Sequence, residues 1–354
     1  MLHIGVRRGG VAMGVEAAPR APVVELLRHA GRAPSVHNTQ PWFWCVDDDR
    51  VTLFADREKQ LEHADPDGRD LMLSCGAALH HLSVAAAAAG WEARIHRMPN
   101  PDNAAQLADV TFAPGPSTAQ ARHELEALLR RRTDRRRMAS WPVGRGEVAR
   151  LLAAAVRCRA QAVAVTSAPA RALLLNLQDA ADAAQRRDPG YLDELEAWVE
   201  RTDDQGIPFA NLVRHPPPVG DRGAGTRFPS GILADAYPSE EPPYDALLVI
   251  CSASDDRASR LGAGEALSAV LLQSAMDGLA SMTLSQAVEV DRTREILRDE
   301  LLKRAAFPQV LIRVGWAEDG LEPLPPTPRF PIDQLVSDPA NLPSRFDPYR
   351  PPQP

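Results

Sequence analysis

The sequence predicts an α+β fold made of two tandem halves that pack on each other as an internal pseudo-dimer. An internal repeat is the first observation. Gly76-AALHHLSVAAAAA-Gly90 and Gly264-EALSAVLLQSAMD-Gly278 are bracketed by glycine at the same interval, and Ala78/Ala266, Leu79/Leu267 and Ala87/Ala275 coincide. Context is the second. Each copy follows an apolar strand and a short acidic loop, then precedes a strand and another about twenty residues on. Two Ala-rich core helices could look alike by chance, but they would not share those neighbours. The third is capacity: 354 residues, 44% apolar and 25% charged, suffice for two ordinary domains with sizeable cores. A duplicated half within one chain is expected to pack around a pseudo-twofold axis, as a homodimer does.

The elements follow in order. Met1 to Arg20 bears Gly and Arg without an apolar core, so it is not read as a signal peptide, and Met13 is an alternative initiator. Arg20–Arg32 reads as a helix with Val23, Val24, Leu26 and Leu27 on its apolar side, ended by Pro34. Trp42–Val46 and Val51–Ala55 read as a strand pair across Asp47–Arg50. Asp65-Pro66-Asp67-Gly68 supplies a helix start, and Gly90 is the expected left-handed stop. The intervening Leu71–Trp91 has no Asp, Glu, Lys or Arg and is long enough to span a bilayer. It is mostly Ala, with Ser74, His80, His81 and Ser83 inside, so a buried helix of a soluble core is the expectation. Strands are expected at Ala93–Arg97 and Ala108–Ala113, and Pro114-Gly115-Pro116 breaks the chain.

Helices are then expected over Thr118–Arg131 and Arg145–Arg157, with a strand at Ala162–Thr166 between them and the next helical region. That region, Ala168–Glu200, is broken near Asp188-Pro189-Gly190. Asp203 to Pro243 is rich in Pro and Gly and fits no regular element; it reads as an ordered cover or a disordered insertion. Tyr244–Cys251 is a fully apolar strand, Gly264–Gly278 a second buried helix and Gln309–Trp316 another strand. The halves are expected at 20–117 and 118–336, with the insertion 203–243 in the second and a Pro-rich tail at 337–354.

Net charge is −7, a poor start for a non-specific nucleic-acid binder. Positive charge is almost all arginine, with only Lys59 and Lys303 as lysines. Cys45, Cys75, Cys158 and Cys251 are scattered without a CxxC pair, which disfavours a zinc site or a disulfide scaffold and suggests a reducing cytoplasm. GxxxxGK, GxGxxG, HExxH and GxSxG are absent, so the common NTPase, classical dehydrogenase, zinc protease and serine hydrolase readings lose support.

Two stretches carry chemistry. Ala33-Pro34-Ser35-Val36-His37-Asn38-Thr39-Gln40-Pro41-Trp42 joins a helix end to a strand. Ser35, Asn38 and Gln40 offer hydroxyl and amide groups suited to a planar heterocycle. On the residues alone, a capped turn with Trp42 in the core is equally open. Arg130-Arg131-Arg132-Thr133-Asp134-Arg135-Arg136-Arg137 concentrates six arginines in an acidic chain. It could be a solvated helix end or a nucleic-acid patch, although no aromatics interleave it. A compact Arg-x-Thr-x-Arg can also clamp one phosphate with guanidinium forks and a hydroxyl.

APSxHNTQPW resembles the flavin-contacting loop of the FMN-dependent nitroreductase family, most of all its double-length, actinobacterial Acg-like branch. His63-Ala64-Asp65-Pro66-Asp67-Gly68-Arg69, Ser74-Cys75-Gly76-Ala77-Ala78-Leu79 and Pro326-Thr327-Pro328-Arg329 also resemble that branch. The likeness spans roughly Ala30 to Val336. It implies the nitroreductase-like fold and a bound FMN, with Pro34, Ser35, Asn38 and Gln40 in the loop that contacts it. The arginine stretch is similar to the family's Arg-x-Ser-x-Arg/Lys phosphate element. Arg131, Thr133 and Arg135 match by position, with Arg132 and Arg136 as alternates one residue on. Arg329 matches a late basic residue that closes on the same phosphate, and Phe330 departs from the branch's second arginine. Leu279-Ala280-Ser281 resembles the segment whose backbone N–H groups approach flavin N5 and O4; a plain helix stop at Gly278 is the other reading.

In homodimeric relatives the loop comes from one subunit and the phosphate element from the other. Here the first half keeps only the loop and the second only the phosphate element. The resemblance therefore implies one FMN per chain, shared between the halves, and a monomer by internal pairing, with further dimerisation left open. It implies hydride and electron transfer through FMN to a nitro, quinone or similar small acceptor, with NAD(P)H as a candidate donor. In the Acg-like branch a segment near 203–243 covers the flavin as a lid, and nicotinamide-driven turnover is poor. A flavin-sequestering protein is thus the alternative. Arg214 and His215 are candidate ligand contacts within that segment; His80 and His81 read as core or interface histidines. No nucleic acid or membrane is expected as a partner.

Overall fold

A computed structural model describes residues 20–201, 203–214, 227–235 and 245–346. The chain runs α1 (Val23–Ala30), β1 (Trp42–Asp47), β2 (Arg50–Ala55), α2 (Arg69–Ala88), β3 (Trp91–Arg97), β4 (Gln106–Pro114), α3 (Ala119–Arg130) and α4 (Arg145–Arg157). It continues through β5 (Gln161–Ala164), α5 (Ala168–Gln185), α6 (Pro189–Ala197), β6 (Ala246–Ser252), α7 (Arg257–Met276) and β7 (Ala280–Leu284). The short helices α8 (Gln286–Glu289) and α9 (Asp291–Ile296), then β8 (Phe307–Gly315), α10 (Ile332–Leu335) and β9 (Val336–Ser337), complete it.

The helix starts are chemical. Thr118, Ser167, Asp188 and Asp256 each accept a backbone N–H from the first turn of α3, α5, α6 and α7. Pro189 breaks the expected 168–200 helix where Asp188 caps a new one. Gly90 and Gly278 end the two repeat helices with φ of 81° and 76°, the left-handed conformation that glycine adopts without strain.

The strands form two sheets, one in the order β3-β4-β2-β1-β9 and one in the order β5-β6-β8-β7. The first sheet packs on α2 through Trp42, Trp44, Leu53, Leu79 and Leu82. The second packs on α7 through Leu248, Ile250, Val270 and Ile312. The two helices cross between the sheets. A Cβ on Gly76 would collide with the Leu261 carbonyl oxygen, and one on Gly264 with the Leu73 carbonyl oxygen. Residues 73 and 261 differ by 188, as do 76 and 264, so the crossing is pseudo-symmetric in sequence as well as in space. Glycine is required there because the backbones touch. Although α2 is apolar and long enough to cross a membrane, 78% of its most apolar window is buried inside the fold.

Two features were not foreseen. The segment after β7, to which the sequence analysis assigns no element, folds into α8 and α9. More consequentially, β9 returns to the first half's sheet and pairs parallel with β1, Val336 beside Trp44 and Ser337 beside Cys45. Phe346, in the Pro-rich tail, is buried with its ring 4.9 Å from Phe43 and 5.3 Å from Phe54. Between Asp203 and Pro243 the described residues hold a short 3-10 turn, Phe209–Asn211, and the single bridges Val199–Ile207 and Val213–Leu233.

Candidate functional site

The loop after α1 is bent tightly. His37, Asn38 and Gln40 all have left-handed φ, 44°, 58° and 51°. Three such non-glycine residues in four positions store strain that surrounding bonds must hold. Ser35 Oγ accepts from Gln40 N at 3.0 Å, and Ser74 Oγ on α2 accepts from Val36 N at 3.2 Å. Asn38 Nδ2 donates to the carbonyls of Gly206 and Pro328, each at 3.0 Å. Gln40 Nε2 donates to Asp204 O at 2.7 Å, and its Oε1 accepts from Phe330 N at 3.0 Å. Asn38 and Gln40 therefore stitch the loop to two distant segments, 203–206 and 328–330. Gln40 does this from full burial and does not reach a cavity wall.

Beside this loop lie two adjoining cavities that share Pro34, Ser35, Thr133 and Arg135 in their walls. One, with about 980 Å³ of empty space, is cationic: Arg32, Arg131, Arg132, Arg135 and Arg329 line it, with Asn38, Asn211 and Thr327, and no described carboxylate does. Arg131 is 7% exposed, and its Nε and Nη1 have no partner among the described residues. Burial, then Arg131, Arg32 and Arg132, push Arg329 down to about 9. Burial, then Arg132 and Arg32, push Arg131 down to about 10. Arg135 also falls to about 10, chiefly through burial. A cluster of buried and half-buried cations that depress one another suits an anion.

Arg136 behaves differently. Its guanidinium forks onto Asp134 at 2.9 and 2.8 Å and donates to Glu322 O at 2.8 Å, so it is neutralised within the protein and points away from the cavity. The geometry thus separates Arg131, Arg132, Thr133 and Arg135, which line the cavity, from Arg136, which does not.

The second cavity, with about 790 Å³ of empty space, is mainly apolar. Leu73, Leu267, Met282, Leu284 and Val310 form its walls, from α2, α7, β7 and β8. Residues of both halves are required to build it. Phe228 and Arg227, from the segment 227–235, supply a further wall. Phe228 meets His37 edge-on at 5.2 Å and lies 5.0 Å from the Arg135 guanidinium carbon. Burial holds His37 down at about 3, hence neutral. Arg227 is fixed by Glu289, at 2.7 and 2.9 Å, and both side chains are buried. Asp70 and Ser74, one turn apart on α2, face the same space.

Leu279, Ala280 and Ser281 are not brought to either cavity. Leu279 is buried in the second half's core and its N–H closes α7 onto Ser274 O at 2.8 Å. Ala280 pairs with Gly315, and Ser281 O accepts from Asp134 N at 2.9 Å. Pairing with β8 holds Ala280 and Ser281 in the second sheet, and the chain reaches the cavity only at Met282 to Gln286. Ser281 instead anchors the arginine stretch. Arg214 is exposed and lines neither cavity, and His215 falls outside the described residues. His80 bonds Ser268 Oγ at 2.9 Å, and His81 is fully buried; neither lines these cavities.

No family model matches the chain. A Mycobacterium tuberculosis (strain ATCC 25618 / H37Rv) protein named "Putative NAD(P)H nitroreductase Rv3131" is 38% identical over 341 residues, 95% of this chain and 96% of that protein. The same strain's "Putative NAD(P)H nitroreductase acg" is 37% identical over 312 residues, 86% and 92% of the two chains. The chain belongs to the FMN-dependent nitroreductase superfamily, in its Acg-like branch. A solved nitroreductase with bound FMN from Bacteroides fragilis NCTC 9343 is 14% identical, with a TM-score of 0.36 over 56% of this chain and 90% of that one.

Sequence reasoning missed several residues that line these cavities. Asp70 and Ser74 carried a readable signal, two polar side chains four apart in the mostly apolar first half of α2. Arg32 stands just before the quoted loop. Arg227 and Phe228 left none, because they lie in a stretch without periodicity.

Proposed function

We propose that the two adjoining cavities hold one FMN and that the chain is a flavin-dependent oxidoreductase. The observation that carries this reading is the pairing of an apolar lobe with a five-arginine lobe that no described carboxylate lines. A flavin ring is flat and mostly apolar, and its phosphate is a dianion. The unpaired nitrogens of buried Arg131 fit such an anion.

Arg131, Thr133, Arg135 and Arg329, with Arg132 beside them, bind the phosphate. Pro34, Ser35 and Asn38 form the loop between phosphate and ring, and Gln40 holds that loop in its strained shape. Leu73, Leu267, Met282 and Val310 enclose the ring and exclude water. Met282 to Ser285 take the place along the ring that Leu279 to Ser281 do not reach. When bound, FMN supplies hydride and electron transfer at N5. The acceptor is a small nitro compound, quinone or similar molecule, and NAD(P)H, named in the relatives, is the donor. The chain works as a monomer whose halves replace the two subunits of a homodimer, in a reducing cytoplasm where its four free cysteines stay reduced.

A second reading has its own observation. Segments 203–214 and 227–235 wall the cavities through Ile207, Asn211, Arg227 and Phe228, and the Arg227–Glu289 pair pins them. A cover this firmly held suits a protein that sequesters FMN. Anaerobic mixing with NADH or NADPH separates the two. Bleaching of the flavin band supports the reductase. Reduction by dithionite alone, with flavin retained, supports sequestration. A colourless protein that takes up no FMN overturns both.

A further inference from the structure

Asp70 is 4% exposed, lines the apolar lobe, and has a carboxyl oxygen, Oδ2, that accepts from no donor among the described residues. A buried carboxylate that accepts so little is costly. Its surroundings explain how it is tolerated. Glu289 is the carboxyl whose charge acts on Asp70 most strongly, and two neighbouring buried carboxyls do not both ionise. Glu289 is the charged member: Arg227 forks onto it at 2.7 and 2.9 Å, and Gln185 Nε2 donates to it at 2.5 Å. The proton therefore sits on Asp70.

The other charged groups agree. Burial first, then the negative charges of Glu289 and of Asp65 in the loop before α2, raise Asp70 well above the usual carboxylate range. Arg227 opposes the rise but is already committed to Glu289. Asp65 is raised to about 7, yet it is spent differently, accepting from Leu71 N at 2.8 Å and lining neither flavin-site cavity. His37 and Arg135 face the same lobe, the first neutral and the second a cation that donates no transferable proton near neutral pH.

We propose that Asp70 is a neutral carboxylic acid that delivers a proton to the acceptor reduced in the apolar lobe. This rests on the flavin reading above. For a quinone, the balance is complete. A bound, reduced flavin would supply the hydride, two electrons and one hydrogen, and would itself be oxidised. Asp70 gives the second hydrogen as a proton to the other quinone oxygen, and the product is the hydroquinone. Asp70 is left as a carboxylate and regains its proton from water.

Infrared spectroscopy of the flavin-loaded wild type and the Asp70→Asn variant tests the proton directly. A carbonyl band of a protonated carboxyl at pH 7 that vanishes in the variant is expected. Stopped-flow mixing of pre-reduced protein with a quinone tests delivery. Asp70→Asn should slow quinone reduction about a hundredfold or more while FMN affinity changes less than about threefold. If the variant does not fold, the wild type suffices: its rate of quinone reduction should fall about tenfold per pH unit above the Asp70 pKa, with flavin still bound. No difference in the infrared band, an unchanged rate in the variant, or a flat wild-type profile each overturns the proposal and leaves FMN binding intact. Failure to bind FMN overturns the functional reading itself.

Discussion

Arg131 and Arg136 stand five residues apart and have opposite fates, which gives a sharp comparison at the residue scale. Arg131 keeps unpaired nitrogens in a cationic cavity, whereas Arg136 is spent on Asp134 and Glu322 O. Removing Arg131 should cost a charge-assisted contact, about 1.5–3 kcal/mol, so Arg131→Ala should weaken FMN about ten- to a hundredfold in a fluorescence titration. The melting temperature should hardly fall, because a mutually repelling cation is removed. Arg136→Ala should do the reverse, stranding buried Asp134 at a cost of about 3–5 kcal/mol of stability. His37 gives a pH prediction. Its folded pKa is about 3 against the usual 6.5, so between those values the unfolded chain binds the extra proton. Stability should be unaffected above pH 6.5 and fall below it by up to about 1.4 kcal/mol per pH unit. Denaturation of wild type and His37→Gln at several pH values should show the two curves converging as the pH falls. A constant offset would count against a neutral buried His37. The sequence motifs pointed to this site because Pro34, Ser35 and Asn38 on the loop and Arg131, Thr133 and Arg135 in the arginine stretch are close in sequence. Arg227, Phe228 and Asp70 join them only through tertiary folding, which local spacing does not encode.

At the scale of elements, the crossing of α2 and α7 makes two neighbouring glycines behave oppositely. A Cβ at Gly264 would run into the Leu73 backbone, while one at Gly262 would meet only Cys158 O, at 3.8 Å. Gly264→Ala should push the helices apart and lower the melting temperature by several degrees, for about 1–3 kcal/mol of overpacking. Gly262→Ala should raise it slightly, since alanine gains up to about 1 kcal/mol over glycine inside a helix. Equal effects in a thermal melt would mean that the two helices do not touch at Gly264. Most elements were readable for local reasons: helix starts near Thr118 and Ala168, the break at Asp188-Pro189-Gly190, glycine stops at 90 and 278, and apolar runs in β1 and β2 on either side of a polar turn. The repeat helices were readable because a close crossing demands glycine at fixed places. The strand β9 was not. Two residues long and preceded by proline-rich chain, it has no periodicity, and its pairing partner lies nearly three hundred residues away.

For the whole molecule, the offset of 188 that relates Gly76 to Gly264 has a bearing on stoichiometry. It carries Ser285, at the apolar lobe, onto Arg97. Arg97 forks onto buried Glu265, Nε at 2.7 Å and Nη2 at 2.5 Å, in a third cavity that, unlike the five-arginine lobe, is lined by the carboxylates of Glu124 and Glu265. One FMN per chain is expected from absorbance at saturation, and two equivalent sites would contradict the asymmetry. The return of β9 to β1, with Phe346 seated between Phe43 and Phe54, ties the earliest sheet to the latest residues. On a ribosome that adds about 5–20 residues per second, roughly ten to forty seconds separate emergence of the first sheet from arrival of its last strand. Throughout that wait the nascent protein must carry a bare strand edge and two uncovered phenylalanines, which makes it a natural client for chaperones during synthesis.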